Sequence, residues 1–329
     1  MGTRVGLAGY VRDMQIPRAY DSFVGVQYQL ARNLMVFGNY RYYRVTNDAY
    51  AENLNRFEGD LLVNHGQLTR LNPNFNQILM WNNWGKRFYQ GLIFGVTKRF
   101  SSGWSLDAHY TYNNAKSNWG RQHGDEVVAD TTDPYKPDVD LARDDIAHVF
   151  TFRNVWELPI LRHRSNWVGK AFGGWQLNSI WNFQSGPIFT PVSTASFGNG
   201  GDFNADGQQF DRPDKPTTNV SRSFSKSQWL QGTALRANMF PLPDPSQPRD
   251  GTLPRDYFRG PGYARIDLAA AKEVPIKERV RVQFRAEAFN ALNRVNISGV
   301  GNRINRSNFG RVTDVYGMRV IQFQVKAVF

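Results

Sequence analysis

The sequence predicts an all-β fold, namely the C-terminal part of an antiparallel transmembrane β-barrel. We expect about ten to twelve strands of a larger barrel, joined by alternating short turns and long extracellular loops. Three observations carry this prediction. Strand-length segments alternate between apolar and polar residues, aromatic residues make up 14% of the chain, and the mean hydropathy is nevertheless −0.53. No run of about 18 apolar residues occurs, which excludes a transmembrane helix, whereas a barrel strand needs only one apolar face.

The clearest predicted strand is the last one, over residues 321–329. The side chains of one face are apolar: Ile321, Phe323, Val325, Ala327 and Phe329. Those of the other face are polar: Gln322, Gln324 and Lys326. A strand of this kind suits a wall between lipid and water.

Two hairpins are predicted in the first third of the chain, over residues 24–42 and 91–113. The first turns at Arg32-Asn33. The second turns at Ser101-Ser102-Gly103, where glycine supplies the positive φ that such turns need. Four further alternating segments follow, over residues 148–158, 175–184, 263–272 and 279–289, before the terminal segment at 318–329.

The strand that begins at Arg279 carries the candidate lumen-facing residues. Its polar set is Arg281, Gln283, Arg285 and Glu287, and its apolar set is Val280, Val282, Phe284, Ala286 and Ala288. Charged residues at every second position are costly in a dry core. We therefore expect the polar set to face a water-filled lumen and the apolar set to face lipid.

Connections between these strands alternate in length. Short ones lie at 32–33, 101–103 and about 274–278, and long ones at roughly 44–75, 114–145 and 187–261. Outer-membrane barrels have this asymmetry, and structureless loops of such length argue against a compact soluble domain.

Charge and composition exclude several functions. The net charge is +12, but the basic residues are dispersed, so no nucleic-acid partner is predicted. The chain has no cysteine, which excludes a disulfide framework and a thiolate zinc site. It also lacks a nucleophile elbow and a phosphate-binding loop. We therefore predict that the protein is not an enzyme and has no cofactor, apart from the calcium hypothesis below.

A candidate calcium loop lies in the longest connection. Its oxygen-bearing side chains are those of Asp202, Asn204, Asp206, Gln208 and Asp211. Alternate oxygen ligands closed by a glycine turn resemble the first half of a calcium loop. An EF-hand would need Glu where this chain has Pro213, so a solvated acidic loop stays the alternative.

The histidine and aromatic residues each allow two interpretations. Asp144-Asp145 before His148 suggests a metal or acid–base pair, or else a strand entrance at the barrel rim. The five histidines have no ligand spacing. Rings near strand ends suggest interfacial girdles, with a sandwich core as the alternative: Trp104, Tyr112, Trp156, Trp175 and Trp181. Loop aromatics suggest sugar stacking or loop packing: Trp81, Trp84, Trp119 and Trp229.

Several ordered segments resemble one family. They are Arg70–Phe75, Tyr89–Leu92, Thr97–Gly103, His109–Tyr112, Trp156–Pro159, Gly173–Leu177, Gln184–Pro187, Arg285–Asn293, Asn308–Val312 and the terminal strand. Together they resemble the C-terminal β-barrel of TonB-dependent outer-membrane receptors, in the Oar-like group whose N-terminal domain is carboxypeptidase-regulatory-like.

The resemblance implies a 22-stranded barrel with a plug, which takes up a siderophore, glycan or peptide in the Gram-negative outer membrane. It implies as partners outer-membrane lipid and lipopolysaccharide, the transported substrate, the barrel-assembly machinery, and the TonB system through a plug. We expect residues 1–329 to be a partial barrel domain, because the predicted strands are too few for the full barrel and no plug is recognised. We expect no signal peptide in it, because Met1–Val5 has no apolar segment.

The terminal strand resembles the signal that barrel-assembly machinery recognises, carried by Phe323, Val325, Ala327 and Phe329. An ordinary edge strand is the alternative. Two other functions stay open: a surface-exposed structural or adhesion protein on a barrel scaffold, and a soluble carbohydrate-binding β-domain.

Overall fold

The computed structural model describes most of the chain. The described residues are 5–55, 57–58, 69–70, 72–117, 120–122, 125–127, 142–143, 146–161, 166–193, 203, 211–244, 249, 251–277 and 280–329. They form one large sheet and a cap of folded loops at one end of it.

The strands, in chain order, are β1 (Val5–Tyr10), β2 (Arg18–Ala31), β3 (Leu34–Asn53), β4 (Phe57–Glu58), β5 (Thr69–Arg70), β6 (Phe75–Ser101), β7 (Trp104–Ser117), β8 (Gly120–Gln122), β9 (Asp125–Val127), β10 (Ala142–Arg143), β11 (His148–Glu157), β12 (Trp175–Gln184), β13 (Ile188–Phe189), β14 (Phe258–Arg259), β15 (Tyr263–Lys277), β16 (Val280–Phe289), β17 (Ile297–Val300), β18 (Val312–Val315) and β19 (Val320–Val328). The helices are α1 (Trp167–Phe172), α2 (Lys226–Leu230) and a 3₁₀ turn at Ala237–Met239. Over the described ranges, none of these helices has the length and apolar character needed to cross a membrane.

The main sheet contains eleven strands, in agreement with the predicted barrel strands. Nine follow one another in the order β19-β16-β15-β12-β11-β7-β6-β3-β2, and each neighbouring pair is antiparallel. β10 pairs with β7, and β1 lies parallel to β6. Strand pairing in the described part of the chain stops at β2 and β19, so the sheet is open at these two edges.

The turn between β6 and β7 shows how the sequence sets the register. Ser102 and Gly103 both have positive φ, at 52° and 84°. This is the pattern of a two-residue I′ turn, whose twist matches that of the strands it joins. Directly opposed residues then share a face across the sheet, as Phe94 does with Tyr110.

Register therefore carries two continuous faces across all nine strands. The apolar face contains Val26, Gly38, Phe94, Tyr110, Phe150, Phe183, Ala264, Leu268, Phe284 and Val325. The polar face contains Asp21, Arg41, Gly91, Asn113, Thr151, Asn182, Arg265, Arg285 and Gln324. Because side chains alternate with period two, one face is predominantly apolar over the whole width of the sheet.

The sheet is a single layer. Phe284 is 45% exposed and Phe323 is 79% exposed on the apolar face. Every residue of β2 is exposed. No second sheet packs against either face within the described ranges, so the stacked-sheet alternative does not apply.

The cap consists of the described residues of 185–262 together with residues 290–317. It carries the main buried cluster of the described chain, formed by Phe189, Trp229, Ala234, Leu235, Phe240, Leu253, Phe258, Ile297, Ile304 and Phe309. Asn296 fixes the cap to the sheet, because its side-chain amide exchanges hydrogen bonds with the backbone of Ala264 at 3.0 and 2.9 Å.

The expectation that 187–261 is structureless is wrong for the described residues of this segment. Its described part contains α2, the 3₁₀ turn and the β13–β14 pair, all packed on the buried cluster. The predicted connection at 44–75 is also shorter than expected, because β3 runs to Asn53 and β6 begins at Phe75.

Candidate functional site

The polar face of the main sheet is the candidate functional surface. On β16, Arg281, Gln283, Arg285 and Glu287 alternate with the apolar residues of the strand. Arg285 forms an ion pair with Glu287 at 2.6 Å, and Arg281 forms one with Glu273 of β15 at 3.1 Å. The structure places these residues on one face; that this face lines a lumen stays a prediction.

Polar contacts link neighbouring strands along this face. On the β2 side, Arg41 binds Asp21 with donor–acceptor distances of 2.6 and 3.0 Å. Farther along, the Tyr89 hydroxyl donates to Asn113 at 2.7 Å. Thr97 donates to Asp107 at 3.1 Å.

On the same face, nearer to β19, Thr151 of β11 donates to Asn182 of β12 at 3.3 Å. Within β15, Arg265 pairs with Asp267 at 2.7 Å. Exposed pairs such as Arg41–Asp21 add little stability individually. Together they give the face paired charges and hydroxyl groups that a water-filled space can solvate.

The polar face also holds large apolar side chains, including two phenylalanine rings. Phe37 lies on it and packs over Gly95 of the next strand, where a Cβ would collide with the ring. A side chain at position 95 would therefore force the Phe37 ring to move. Phe23 and Ile180 also lie on this face and are 67% and 43% exposed. The face is therefore polar with apolar patches.

The opposite, apolar face carries aromatic residues close to the short turns. Trp104 and Trp156 are directly paired and are 39% and 45% exposed. The Lys98 ammonium lies 4.2 Å from the Trp104 ring centroid and donates to Ser101 O at 3.0 Å. A long side chain that places its charge at a turn beside exposed rings is typical of a lipid–water boundary.

Lys272 is a buried cation on the apolar face that sequence reasoning missed. It lies opposite Trp175 and Phe284 and is only 7% exposed. Its ammonium donates to Ala171 O at 3.0 Å and to Gly173 O at 2.7 Å. These carbonyls lie at the C-terminal end of α1, where a cation is stabilising. No sequence spacing links residues a hundred positions apart.

The terminal strand pairs with β16 by one edge. Phe323, Val325 and Phe329 are 79%, 67% and 91% exposed, and Ala327 lies on the same face. The proposed assembly signal is accessible in this arrangement, and its recognition stays a prediction.

The calcium hypothesis falls mostly outside the described residues. Asp202, Asn204, Asp206 and Gln208 lie there, whereas Asp211 is buried and its carbonyl accepts a hydrogen bond from Ser193 N at 2.8 Å. The described residues contain no group of three or more His, Cys, Asp or Glu side chains that could hold a metal. The calcium site stays a prediction.

The remaining candidates are the acidic pair at 144–145, the histidines and one loop tryptophan. Asp144, Asp145 and Trp119 lie outside the described residues. His148 lies on the apolar face, where its Nδ1 bonds the Tyr110 hydroxyl at 2.6 Å. His109 lies on the polar face, 3.4 Å from an Asp107 carboxyl oxygen. Their separation on opposite faces gives no shared site.

The other aromatic residues that were predicted to lie in loops occupy two different environments. Trp81 and Trp84 lie within β6 and not in a loop, which corrects the expected boundary. Trp229 is completely buried in the cap, with ring centroids 5.4 Å from Phe224 and 5.9 Å from Phe189. Trp229 therefore packs the cap and is not available to stack on a sugar.

An ion pair in the cap connects two of its segments. Arg249 donates two hydrogen bonds to Asp214, both at 2.8 Å. Thr252 adds a backbone donor at 3.0 Å. The arginine contacts, aided by Thr252, lower the pKa of Asp214 from 3.8 to about 2. The carboxylate is therefore charged over the physiological range.

Comparison with solved structures finds distant likenesses. The outer membrane transporter YddB from Escherichia coli aligns at 9% identity and a TM-score of 0.49, over 100% of this chain and 35% of its own. P. aeruginosa FpvA, solved with heterologous pyoverdines, aligns at 10% and 0.45, over 94% and 27%. The FrpB iron transporter from Neisseria meningitidis aligns at 10% and 0.45, over 98% and 33%. The chain therefore spans about a third of their length or less.

The family comparison covers nearly the whole chain. The model of the outer membrane beta barrel domain matches residues 1–322. Among curated proteins the comparison finds no match. The family match agrees with the resemblance to a receptor barrel drawn from the sequence, with the antiparallel sheet, and with location in the Gram-negative outer membrane. The chain belongs to the outer membrane beta barrel domain family.

Proposed function

We propose that this chain forms part of the wall of a TonB-dependent-receptor-like conduit, through which a large solute enters across the outer membrane. The observation that carries the proposal is the separation of the two faces over nine strands. Ion pairs such as Arg41–Asp21 lie on one face, and exposed rings such as Phe94 lie on the other. Lipid accepts the second face and water the first.

The solute is a siderophore, glycan or peptide, as the sequence resemblance implies, and the chain performs no chemistry on it. Energy would come from the TonB system acting on a plug, and the barrel-assembly machinery would insert the strands. Family membership favours this reading over a soluble carbohydrate-binding domain.

The absence of cysteine permits a direct test of facing. Gln283→Cys and Phe284→Cys would be made one at a time and treated in intact cells with a membrane-impermeant maleimide. We expect the first to be labelled and the second to be protected by lipid. Equal labelling of this matched pair would contradict the proposed wall.

Transport needs its own measurement. Cells with and without the gene would be given labelled siderophores, oligosaccharides and peptides, before and after the proton-motive force is dissipated. We expect gene-dependent uptake of one class that stops on dissipation. Uptake of all three classes unaffected by the gene would refute the transport role.

The folded cap favours a surface-adhesion role as the second candidate, because it presents a compact structure at one end of the sheet. Removing residues 187–261 separates the two roles. A variant that lacks this segment and still imports its solute would argue against adhesion as the main function.

A further inference from the structure

A cavity of about 650 Å³ opens within the cap. One side is formed by Pro187 and Phe189 with Gly260-Pro261, and the other by residues of the segment 297–313. This volume falls within the roughly 300–1,000 Å³ of sites that bind small molecules. It is far too small for a protein partner, so a small solute is the appropriate ligand.

The lining of the cavity has an uneven charge. Arg303 and Arg306 both contribute to it, with Asn302 and Asn308 beside them. No Asp or Glu is among the described residues that line it. Arginine is positively charged at every physiological pH and binds carboxylate or phosphate through two parallel hydrogen bonds. The cavity therefore favours an anion.

Hydroxyl and apolar groups complete the lining. Ser298, Ser307 and Thr313 supply hydroxyls, and Phe189 and Ile297 supply an apolar surface. A fully apolar ligand would cover these hydroxyls without offering them hydrogen bonds, and a bare inorganic anion would leave much of the 650 Å³ unfilled. The combination suits an organic anion that carries several hydroxyl groups.

The backbone that holds the arginines is already ordered. Val192 N donates to Asn302 O at 3.0 Å, and Ile304 N donates to Val192 O at 2.9 Å. Gly301 N donates to Arg311 O at 2.9 Å, and a Cβ at position 301 would collide with the carbonyl of Asn308. A wall fixed in this way needs little rearrangement on binding, which lowers the entropic cost of association.

We propose that this cavity binds a hydroxylated organic anion about the size of a sugar ring, with its carboxylate or phosphate held between Arg303 and Arg306. The binding itself follows from the cap. The further statement that the anion is a cargo, or the recognised end of a larger cargo, rests on the proposed conduit.

Calorimetry on the full chain, folded in detergent micelles, tests the binding. The probes are glucuronate, glucose 6-phosphate and neutral glucose, which separate carboxylate from phosphate and charge from shape. We expect at least one anion to bind about tenfold or more tightly than glucose, with affinity that falls as salt increases. Equal binding of all three probes, or no binding of either anion, would overturn the proposal.

Variants locate the site. Arg303→Gln and Arg306→Gln should each weaken anion binding about tenfold to a hundredfold, as expected for loss of a charge-assisted contact. Ser307→Trp should abolish binding by filling the cavity. Arg311→Gln is the matched control, because Arg311 lies in the same segment and does not line the cavity. If none of the three cavity variants lowers anion affinity, the proposal is wrong.

The outcomes for the cavity and for the conduit can be told apart. Anion binding in micelles without gene-dependent uptake in cells would remove the conduit and keep the binding site. Gene-dependent uptake that is unchanged in the Arg303→Gln and Arg306→Gln variants, with no binding of anions, would remove the binding site and keep the conduit.

Discussion

The sheet and the cap of this protein are stabilised in opposite ways. On the sheet, large side chains such as Phe323 and Val325 are mostly exposed, at 79% and 67%. In the cap, Trp229 and Leu253 are completely buried. The cap therefore removes its own apolar surface from water, whereas the sheet depends on lipid to cover one face.

This difference shows that the two regions need different surroundings. The sheet has hydrogen-bonding edges at β2 and β19 that are open within the described structure, and open edges promote aggregation. The cap has a continuous buried cluster and should keep its structure wherever its connection to β12 and β15 is intact. A substitution in one region should therefore leave the other region folded.

The largest effect is expected from Trp229→Ala in the cap. Removing a fully buried Trp costs about 3–5 kcal/mol, so the cap should unfold while the sheet remains. Limited proteolysis should then cut within 211–244, with strand content by circular dichroism almost unchanged. Trp229→Phe should be milder, since it keeps a ring against Phe224. Loss of the whole sheet would show that the two regions are not independent.

The next effect is expected from Phe284→Arg on the apolar face. A charge on the lipid side near the bilayer midplane costs about 2–4 kcal/mol, so insertion into lipid vesicles should fail, while the cap stays protease-resistant. Arg285→Ala on the polar face of the same strand is the control and should insert. Similar insertion yields for both variants would reverse the assignment of the faces.

A smaller effect is expected from Lys272→Met. The substitution leaves two carbonyls at the end of α1 without their donor, which costs about 1.5–3 kcal/mol for a charged contact. The urea midpoint in vesicles should fall. Lys215→Met, an exposed lysine of the cap, should leave it unchanged. An unchanged midpoint for Lys272→Met would show that lipid or water replaces the ammonium.

The smallest effect is expected from Asp214→Asn. The pKa of Asp214 is about 2 in the folded cap and 3.8 in its ordinary state, so its contribution is fully present above pH 3.8 and is lost as the pH falls through 2. We expect the variant to be about 1–2 kcal/mol less stable at neutral pH, because Arg249 is partly screened by solvent. Denaturant unfolding of the cap at pH 7 and pH 2 checks this: most of the difference from the native chain should be lost at pH 2.

The regular part of the fold was accessible from the sequence because a strand repeats every two residues. The alternation through Arg281, Phe284 and Arg285 predicted faces that match the register of the sheet, and Gly103 predicted the turn. Alternation every two residues does not reveal that a ring covers a glycine of the neighbouring strand, as the Phe37 ring covers Gly95. That packing depends on which strands become neighbours.

The amino-acid sequence by itself determined the strand class, the membrane environment and which side chains of a strand share a face, because each follows from local alternation of polarity. Only the tertiary structure decided that 187–261 folds onto 290–317, that Lys272 binds the C-terminal end of α1, and that Arg303 and Arg306 line a cavity together with Phe189. These features join residues far apart in the chain, and the contacts between such residues are selected by shape and burial, for which no periodic pattern exists.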